Sequence, residues 1–178
     1  MSNTQRAGRI KAGTFDLDVT TLRQIVAYDE EAGQLVWRRT HGKRISGAAV
    51  GTTCSKRGYL RVCIGGAKYA LHRLVWLYVH GEWPTDFIDH IDGNTKNNRL
   101  GNLREATCAE NLWNTRKSKA NTSGFKGVCW NSRSKSWRAY VSVNGKQHTI
   151  GYFKSKEDAF AARVHAANRM HGEFARHA

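Results

Sequence analysis

The residues best suited to chemistry lie in one polar stretch, FIDHIDGNTKNNRLGNLREATCAENLWN, at positions 87–114. Asp89 and His90 are adjacent there, and Asn102 and Asn111 follow at longer spacings. A carboxylate and an amide oxygen are hard ligands, which suit Mg²⁺, Mn²⁺ or Ca²⁺ and not a structural zinc. Asp89 and Asn111 are therefore candidate ligands of one hard cation, whose shell substrate phosphates and water would complete.

His90 is the side chain in this stretch that is a good base near neutral pH. An amide such as Asn102 can fix the orientation of the imidazole by a hydrogen bond. A metal that polarises a phosphate, with a histidine that activates water, is the minimal apparatus for phosphodiester hydrolysis. The opposing interpretation is a polar Asn/Gly turn beside a packed His90. Four suitable side chains that can converge on one place disfavour it.

Short elements have to position these side chains. Isoleucines flank the Asp-His pair and anchor a first strand, and residues 92–98 form a turn that tolerates left-handed backbone. Leu100 and Leu103 anchor a second strand, and the pattern becomes helical from Ala106. The sequence therefore predicts strand, loop, strand and helix.

The stretch resembles the ββα-metal motif of HNH endonucleases, in particular those of phage homing type, through the blocks DHIDGN, NNRLGNLR and AENLWN. The resemblance implies that His90 is the general base and that Asn102, on the second strand, orients it. Asp89 and Asn111 would hold one Mg²⁺ or Mn²⁺ per active site. It also implies that the substrate is a phosphodiester of DNA.

Before this stretch, the sequence predicts a small antiparallel sheet and two helices. An amphipathic helix is expected at 18–28. Strand candidates lie at 35–37, 48–53, 59–64 and 68–71. A second, apolar helix at 72–80 is ended by Gly81 and supports the strand with the Asp-His pair. We interpret His72, which stands among apolar neighbours in this helix, as a packed structural histidine.

After a polar, basic linker at 118–123, the pattern changes. Strands are expected at 125–131, 137–143 and 146–153, with Asn144-Gly145 as a hairpin turn. Ser155 then caps a helix. Its apolar face is formed by Ala159, Phe160, Val164, Ala167 and Met170. The helix covers one face of a three-stranded antiparallel sheet and leaves the other face free.

Strand alternation places five polar or aromatic side chains on that free face. They are Arg138, Tyr140 and Ser142 of the second strand and Gln147 and Thr149 of the third. A register change is expected near Gln147. Such a face suits a sheet that lies in the major groove of DNA. Arg99 and Arg104, near the Asp-His pair, are suited to bidentate contact with phosphate.

Residues 122–175 resemble the plant ethylene-response-factor (APETALA-two type) DNA-binding domain. The matching blocks are GFKGVCW, WRAYVSVNGK, KEDAFAARVHAA and HGEFA. The resemblance implies DNA binding through the free face of the sheet. Several arginines and tryptophans that the family uses for base contacts are replaced here, so the sequence preference of the family does not transfer.

The charge of the chain agrees with a nucleic-acid partner. The 178 residues carry a net charge of +15, and residues 119–178 hold 11 Lys and Arg against 3 Asp and Glu. A charge of this size on a chain that can bury a core indicates an acidic polymer. Four separate cysteines and no apolar run of membrane-spanning length favour an intracellular, cytoplasmic protein of a bacterial or phage-infected cell. We expect a monomer on double-stranded DNA, with no membrane and no obligate protein partner.

These inferences predict an α+β fold. A flexible basic tail (1–14) precedes an HNH endonuclease domain (15–117) with a small antiparallel sheet and a ββα-metal core. The linker (118–123) leads to a three-stranded antiparallel sheet packed on one helix (124–178). The predicted function is a metal-dependent, site-specific homing-type nickase. A non-catalytic DNA-binding transcriptional regulator is the alternative, followed by an RNA nuclease and a basic structural phage protein.

Overall fold

The computed structural model describes residues 17–53, 58–115, 117–118, 120–143 and 145–177. The predicted tail at 1–14 and Asn144 of the predicted hairpin turn lie outside them. The fold is α+β, with small antiparallel sheets and a few helices. It divides into two compact units, Met1–Glu105 and Ala106–Ala178. Across the described residues, no helix combines the length and the apolar character that crossing a membrane requires.

The first unit holds two helices, a short 3₁₀ helix and most of the strands. They are α1 (Val19–Ile25), β1 (Val26–Asp29), β2 (Gln34–Trp37), β3 (Thr52–Thr53), β4 (Leu60–Ile64), β5 (Ala67–Ala70), α2 (Leu71–His80), β6 (Phe87–His90), the 3₁₀ helix (Leu100–Asn102) and β7 (Leu103–Ala106), which ends at the boundary. β1 pairs with β2, β3, β4 and β5 form a three-stranded sheet, and β6 pairs with β7.

Several predicted bounds are wrong in this unit, three of them by more than one residue. The first helix ends at Ile25, because Val26 and the residues after it pair antiparallel with β2. The strand predicted at 48–53 is reduced to Thr52–Thr53. Leu100 lies in the 3₁₀ helix, so the second strand of the polar stretch begins at Leu103. For the end of the first helix and for Leu100, the local apolar pattern is compatible with either a helix or a strand. Pairing with a neighbouring strand determines which of the two forms.

α2 forms the centre of the first core. It buries Leu71, Leu74, Val75 and Leu77, and its end is set by Gly81 in the left-handed conformation (φ +85°). Arg73 of α2 donates to the backbone oxygens of Asp86 (3.0 Å) and Pro84 (3.3 Å). Because those two residues lead directly into β6, these bonds fix the entry of the strand that carries Asp89 and His90.

The described residues of the second unit form one sheet and two helices, with a 3₁₀ turn near the end. Its elements are α3 (Cys108–Trp113), β8 (Val128–Asn131), β9 (Ser136–Val143), β10 (Lys146–Phe153), α4 (Lys156–His171) and a 3₁₀ helix (Gly172–Phe174). The sheet is antiparallel in the order β10-β9-β8. Ala139 and Val141 of β9 pack with Ala159 and Ala167 of α4. The helix therefore covers one face of a three-stranded sheet, as predicted.

The buried face of α4 differs from the predicted one. Arg163 and Ala166 are buried, whereas Met170 is 40 % exposed. The strand predicted at 125–131 begins only at Val128. Residues of the predicted linker are hydrogen-bonded within this unit, since Asn121 Nδ2 and Ser123 Oγ both donate to the backbone oxygen of Phe125.

Leu74→Ala should lower the free energy of unfolding of the first unit by about 2–5 kcal/mol, because Leu74 is fully buried and Ala would leave a cavity. The measurement is urea unfolding of the full chain. Ile45→Ala is the matched control, since Ile45 is 64 % exposed, and its effect should stay within about 0.5 kcal/mol. Equal effects of the two substitutions would contradict this core.

Candidate active site

β6 presents the Asp-His pair to the interior of the first unit. Asp89 is 5 % exposed and His90 is 3 % exposed, next to buried Ile88. The strand is held by its pairing with β7, and Ile91 N donates to Asn102 O over 2.9 Å just beyond it. Polar groups removed from water to this extent need hydrogen-bond partners.

Asn98 forms a hydrogen bond with the imidazole. His90 Nε2 lies 3.0 Å from Asn98 Oδ1, and Asn98 is itself 2 % exposed. With the amide oxygen facing it, Nε2 donates, and the basic lone pair of the ring lies on Nδ1. Burial lowers the pKa of His90, although Asn98 and the carboxylates of Asp92 and Asp89 act in the opposite direction. At neutral pH the imidazole is therefore uncharged, as a base must be.

This arrangement differs from the expected role of Asn102. Asn102 Nδ2 donates to Asp92 Oδ1 (3.0 Å) and to Asn97 O (2.8 Å), and its Oδ1 accepts from Asp92 N (3.0 Å). Asn102 thus connects Asp92 and Asn97, which lie near the two ends of the Asn/Gly loop. The residue that forms the hydrogen bond with His90 is Asn98 and not Asn102. Burial raises the pKa of Asp92, but hydrogen bonds from Asn97, Asn94 and Asn102 outweigh it and lower the pKa.

The β1–β2 hairpin holds the same loop from its other side. Tyr28 Oη donates to Asn98 O (3.1 Å) and accepts from Leu100 N (2.9 Å). Arg99 Nε donates to Glu31 O over 2.8 Å. A Cβ on Gly33, whose φ is +66°, would come within 2.6 Å of Arg99, so only glycine permits this approach. Arg99, predicted to contact phosphate, is used here to fix the loop.

His72 packs directly against the candidate base. The His72 and His90 ring centroids are 5.1 Å apart, and Tyr59 lies 5.2 Å from His72 and 5.8 Å from His90. Burial, together with electrostatic interactions with His90, Arg73 and Arg61, lowers the pKa of His72 to about 3. His72 is thus a packed, neutral histidine as interpreted, but its contact with His90 was not anticipated, because sequence distance gave no sign of it.

Asp89 forms a buried ion pair with Arg104. Arg104 Nη2 and Nε lie 3.0 and 3.1 Å from Asp89 Oδ2. The exposed fractions of the two side chains are 14 % for Arg104 and 6 % for Asp89. The guanidinium predicted to contact phosphate therefore balances the carboxylate predicted to bind metal.

The other predicted site residues lie in the second unit. Asn111 is half-buried on α3, where a capping box between Thr107 and Glu110 starts the helix. Its assignment as a metal ligand remains a prediction from the resemblance.

The predicted free face of the sheet has the expected pairs. Tyr140 pairs with Thr149 and Ser142 with Gln147, and Arg138 Nε donates to Thr149 Oγ1 over 3.0 Å. The register change expected near Gln147 is found between Thr149 and Gly151 instead. As a result Tyr152, which is 54 % exposed, pairs with Arg138 and joins this face. Sequence alternation missed Tyr152, because the bulge shifts the strand by one residue.

Comparisons with known proteins found matches to the segment that holds these residues. A family model described as HNH endonuclease matches residues 69–112, which include α2, β6 and the loop of Asn98. Protein 3.8 of Escherichia phage T7 is 42 % identical over 108 residues, which cover 59 % of this chain and 87 % of that protein. An uncharacterized HNH endonuclease, L560, of Acanthamoeba polyphaga mimivirus is 34 % identical over 110 residues, or 61 % of this chain and 56 % of that protein. No solved structure matches the chain.

The matched segment holds the buried Asp-His pair, Asn98 and the loop that fixes them. The T7 relative is matched over most of its own length. On these grounds residues 69–112 belong to an HNH endonuclease domain, and the chain belongs to one family with Protein 3.8 of Escherichia phage T7.

Proposed function

We propose that this chain is a metal-dependent DNA endonuclease of homing type that nicks one strand at a specific site. The observation that supports the proposal most strongly is the buried imidazole of His90, held by Asn98 beside the buried carboxylate of Asp89. This pair lies inside the segment that the HNH endonuclease model matches.

In this proposal His90 accepts the proton of the attacking water. Burial keeps the ring in its basic form at neutral pH, and Asn98 fixes which nitrogen carries the hydrogen. The ring of His72 at 5.1 Å and the Asn98 bond restrict the orientation of the base. Because His90 is 3 % exposed, the water that it deprotonates has to arrive with the substrate.

The donor chemistry of Asp89 fits a hard cation. No group of three or more His, Cys, Asp or Glu suited to a metal occurs among the described residues. A single carboxylate is compatible with Mg²⁺ or Mn²⁺, which one or two protein oxygens hold while phosphates and water complete the shell. Such an ion, when bound, supplies charge stabilisation at the phosphate. Asn111 is the second ligand proposed from the resemblance.

Arg104 and Asn102 act through other residues in this account. Arg104 balances the charge of Asp89 and holds its carboxylate in place. Asn102 holds the loop closed through Asp92, so that Asn98 stays within hydrogen-bond distance of His90. Phosphate contact by Arg99 or Arg104 remains part of the proposal.

The second unit is proposed to bind double-stranded DNA through the free face of its sheet. That face carries Arg138, Tyr140, Ser142, Gln147, Thr149 and Tyr152. Arg138 also lies 5.1 Å from the Tyr140 ring centroid, so its guanidinium is oriented before DNA arrives. One His90 per chain hydrolyses one strand, which makes the product of a monomer a nick.

The proposal is tested on supercoiled plasmid that carries DNA of the source genome. The full chain with Mg²⁺ should convert it to open circles, and EDTA should stop the conversion. His90→Ala should slow it by roughly 10²–10⁴-fold, the usual contribution of a general base. His41→Ala, which removes an exposed histidine of the first unit, should leave the rate unchanged. DNA that is bound but never cut with any divalent metal would favour the non-catalytic regulator.

Asn98→Ala should lower kcat about tenfold or more at an unchanged KM, because it releases the base from its reactive orientation. The matched control is Asn94→Ala, in the same loop, where the side chain accepts from Lys96 N and does not contact His90. Single-turnover nicking rates of both variants provide the measurement. A wild-type kcat for Asn98→Ala would contradict the positioning role of Asn98.

Arg138→Ala should weaken DNA binding by about fivefold or more if Arg138 contacts a base, and should reduce the salt dependence of the affinity if it contacts phosphate. Binding is measured by fluorescence anisotropy in the His90→Ala background. Arg133→Ala, in the exposed β8–β9 turn, is the control with the same loss of charge. If both substitutions have the same effect at every salt concentration, the free face is not the binding surface.

A further inference from the structure

The second unit contains a cavity of about 280 Å³ at the edge of β9. β8 pairs with β9 only as far as Ala139, and Tyr140 N then donates to Gly127 O over 2.8 Å. Beyond that point the edge of β9, from Tyr140 to Ser142, lines the cavity together with Trp113, Lys126, Arg163 and His171.

Two buried nitrogens at this cavity have no hydrogen-bond partner among the residues that the structure describes. Arg163 is 2 % exposed, and its Nη1 lies 2.7 Å from His177 Nδ1, but its Nε is unpaired. His171 is 6 % exposed, and its Nε2 lies 3.2 Å from Ser142 O, but its Nδ1 is unpaired. A buried guanidinium N–H without an acceptor is unfavourable, and such groups are rare in folded proteins.

No carboxylate of the described residues balances the positive charge around the cavity. Lys126 Nζ donates to the backbone oxygens of Trp113 and Thr115, at 2.7 and 2.6 Å. Burial, with the nearby charges of Arg163 and Arg176, lowers the pKa of Lys126 to about 8. Among the described residues, no carboxylate forms an ion pair with any of these three side chains. An anion in the cavity would relieve both the repulsion and the unpaired Arg163 Nε.

Size and polarity restrict which anion fits. A volume of about 280 Å³ holds a phosphate group with a small attached group, since one water takes about 30 Å³ of liquid volume. Arg163 Nε offers a donor, and His171 Nδ1 offers an acceptor while Nε2 donates to Ser142 O. A phosphate or phosphomonoester that keeps one proton presents both an acceptor and a donor. The Trp113 ring, 4.4 Å from the His171 ring, stacks on it and holds it in place.

We propose that this cavity binds a phosphate group, either as free phosphate or as the phosphomonoester of a small nucleotide. Arg163 and Lys126 provide the charge, and His171 bonds to the phosphate hydroxyl. The site lies entirely within the second unit, and its occupancy does not depend on the nuclease activity proposed above.

The experiment follows the thermal unfolding of the full chain in rising inorganic phosphate, with sodium chloride at matched ionic strength as the reference. A concentration one hundred times Kd should raise Tm by roughly 5 °C or more. Arg163→Met should keep the fold and weaken phosphate binding about tenfold or more. Arg169→Met, which removes an exposed arginine of α4, should respond as the wild type does.

A 5′-deoxynucleoside monophosphate in place of phosphate distinguishes the two sources. Binding at least about tenfold tighter than that of phosphate assigns the site to a nucleotide, and equal binding assigns it to free phosphate. No rise in Tm of the wild type with either probe, or an equal rise in Arg163→Met, would overturn the proposal. If Arg163→Met does not fold, ¹⁵N NMR of the wild type tests the proposal instead. Phosphate binding at this site should shift the Arg163 Nε–H resonance in a saturable way, and the absence of such a shift would overturn the proposal.

Discussion

The hydrogen bond between His90 and Asn98 is the interaction on which the candidate site depends. Both side chains are almost fully buried, so the loss of either one removes a hydrogen bond between two buried polar groups. Such a loss costs roughly 1–3 kcal/mol, which is a large part of the stability of a small unit. The bond therefore holds the imidazole and the loop in one arrangement instead of adding a marginal contact.

The rest of the first unit maintains that bond. Tyr28 from the β1–β2 hairpin fixes the backbone of Asn98, and Asn102 closes the loop through Asp92. Arg73 of α2 sets the position from which β6 starts. Asp89 and Arg104 form a buried ion pair, and removal of one partner from such a pair typically costs roughly 3–5 kcal/mol. Mutational loss of activity at Arg104 therefore has to be separated from loss of folding before a role in DNA contact is assigned.

Elements with a strong local signal could be predicted from the sequence. The end of α2 at Gly81, the Ser155 cap of α4 and the order strand, loop, strand, helix in the polar stretch all come from local residue preferences. The identity of the residue that bonds His90 could not be predicted, because three asparagines lie in the loop after the Asp-His pair and Asn102 follows it, and only the folded loop selects Asn98. The burial of Arg163 could not be predicted for a related reason. Arginine is rarely buried, and in the alanine-rich helix α4 only tertiary contacts determine that Arg163 lies on the buried face.

The most direct test of this account is the state of the His90 ring in the folded chain, read from its two ring nitrogens by ¹⁵N NMR across a pH titration. The account predicts a neutral ring with hydrogen on Nε2 at pH 7 and a pKa below the ordinary value of 6.5. The Asn98→Ala variant should lose the single fixed tautomer. A ring protonated at pH 7, or a neutral ring with hydrogen on Nδ1, would contradict the claim that burial and Asn98 prepare His90 as a base.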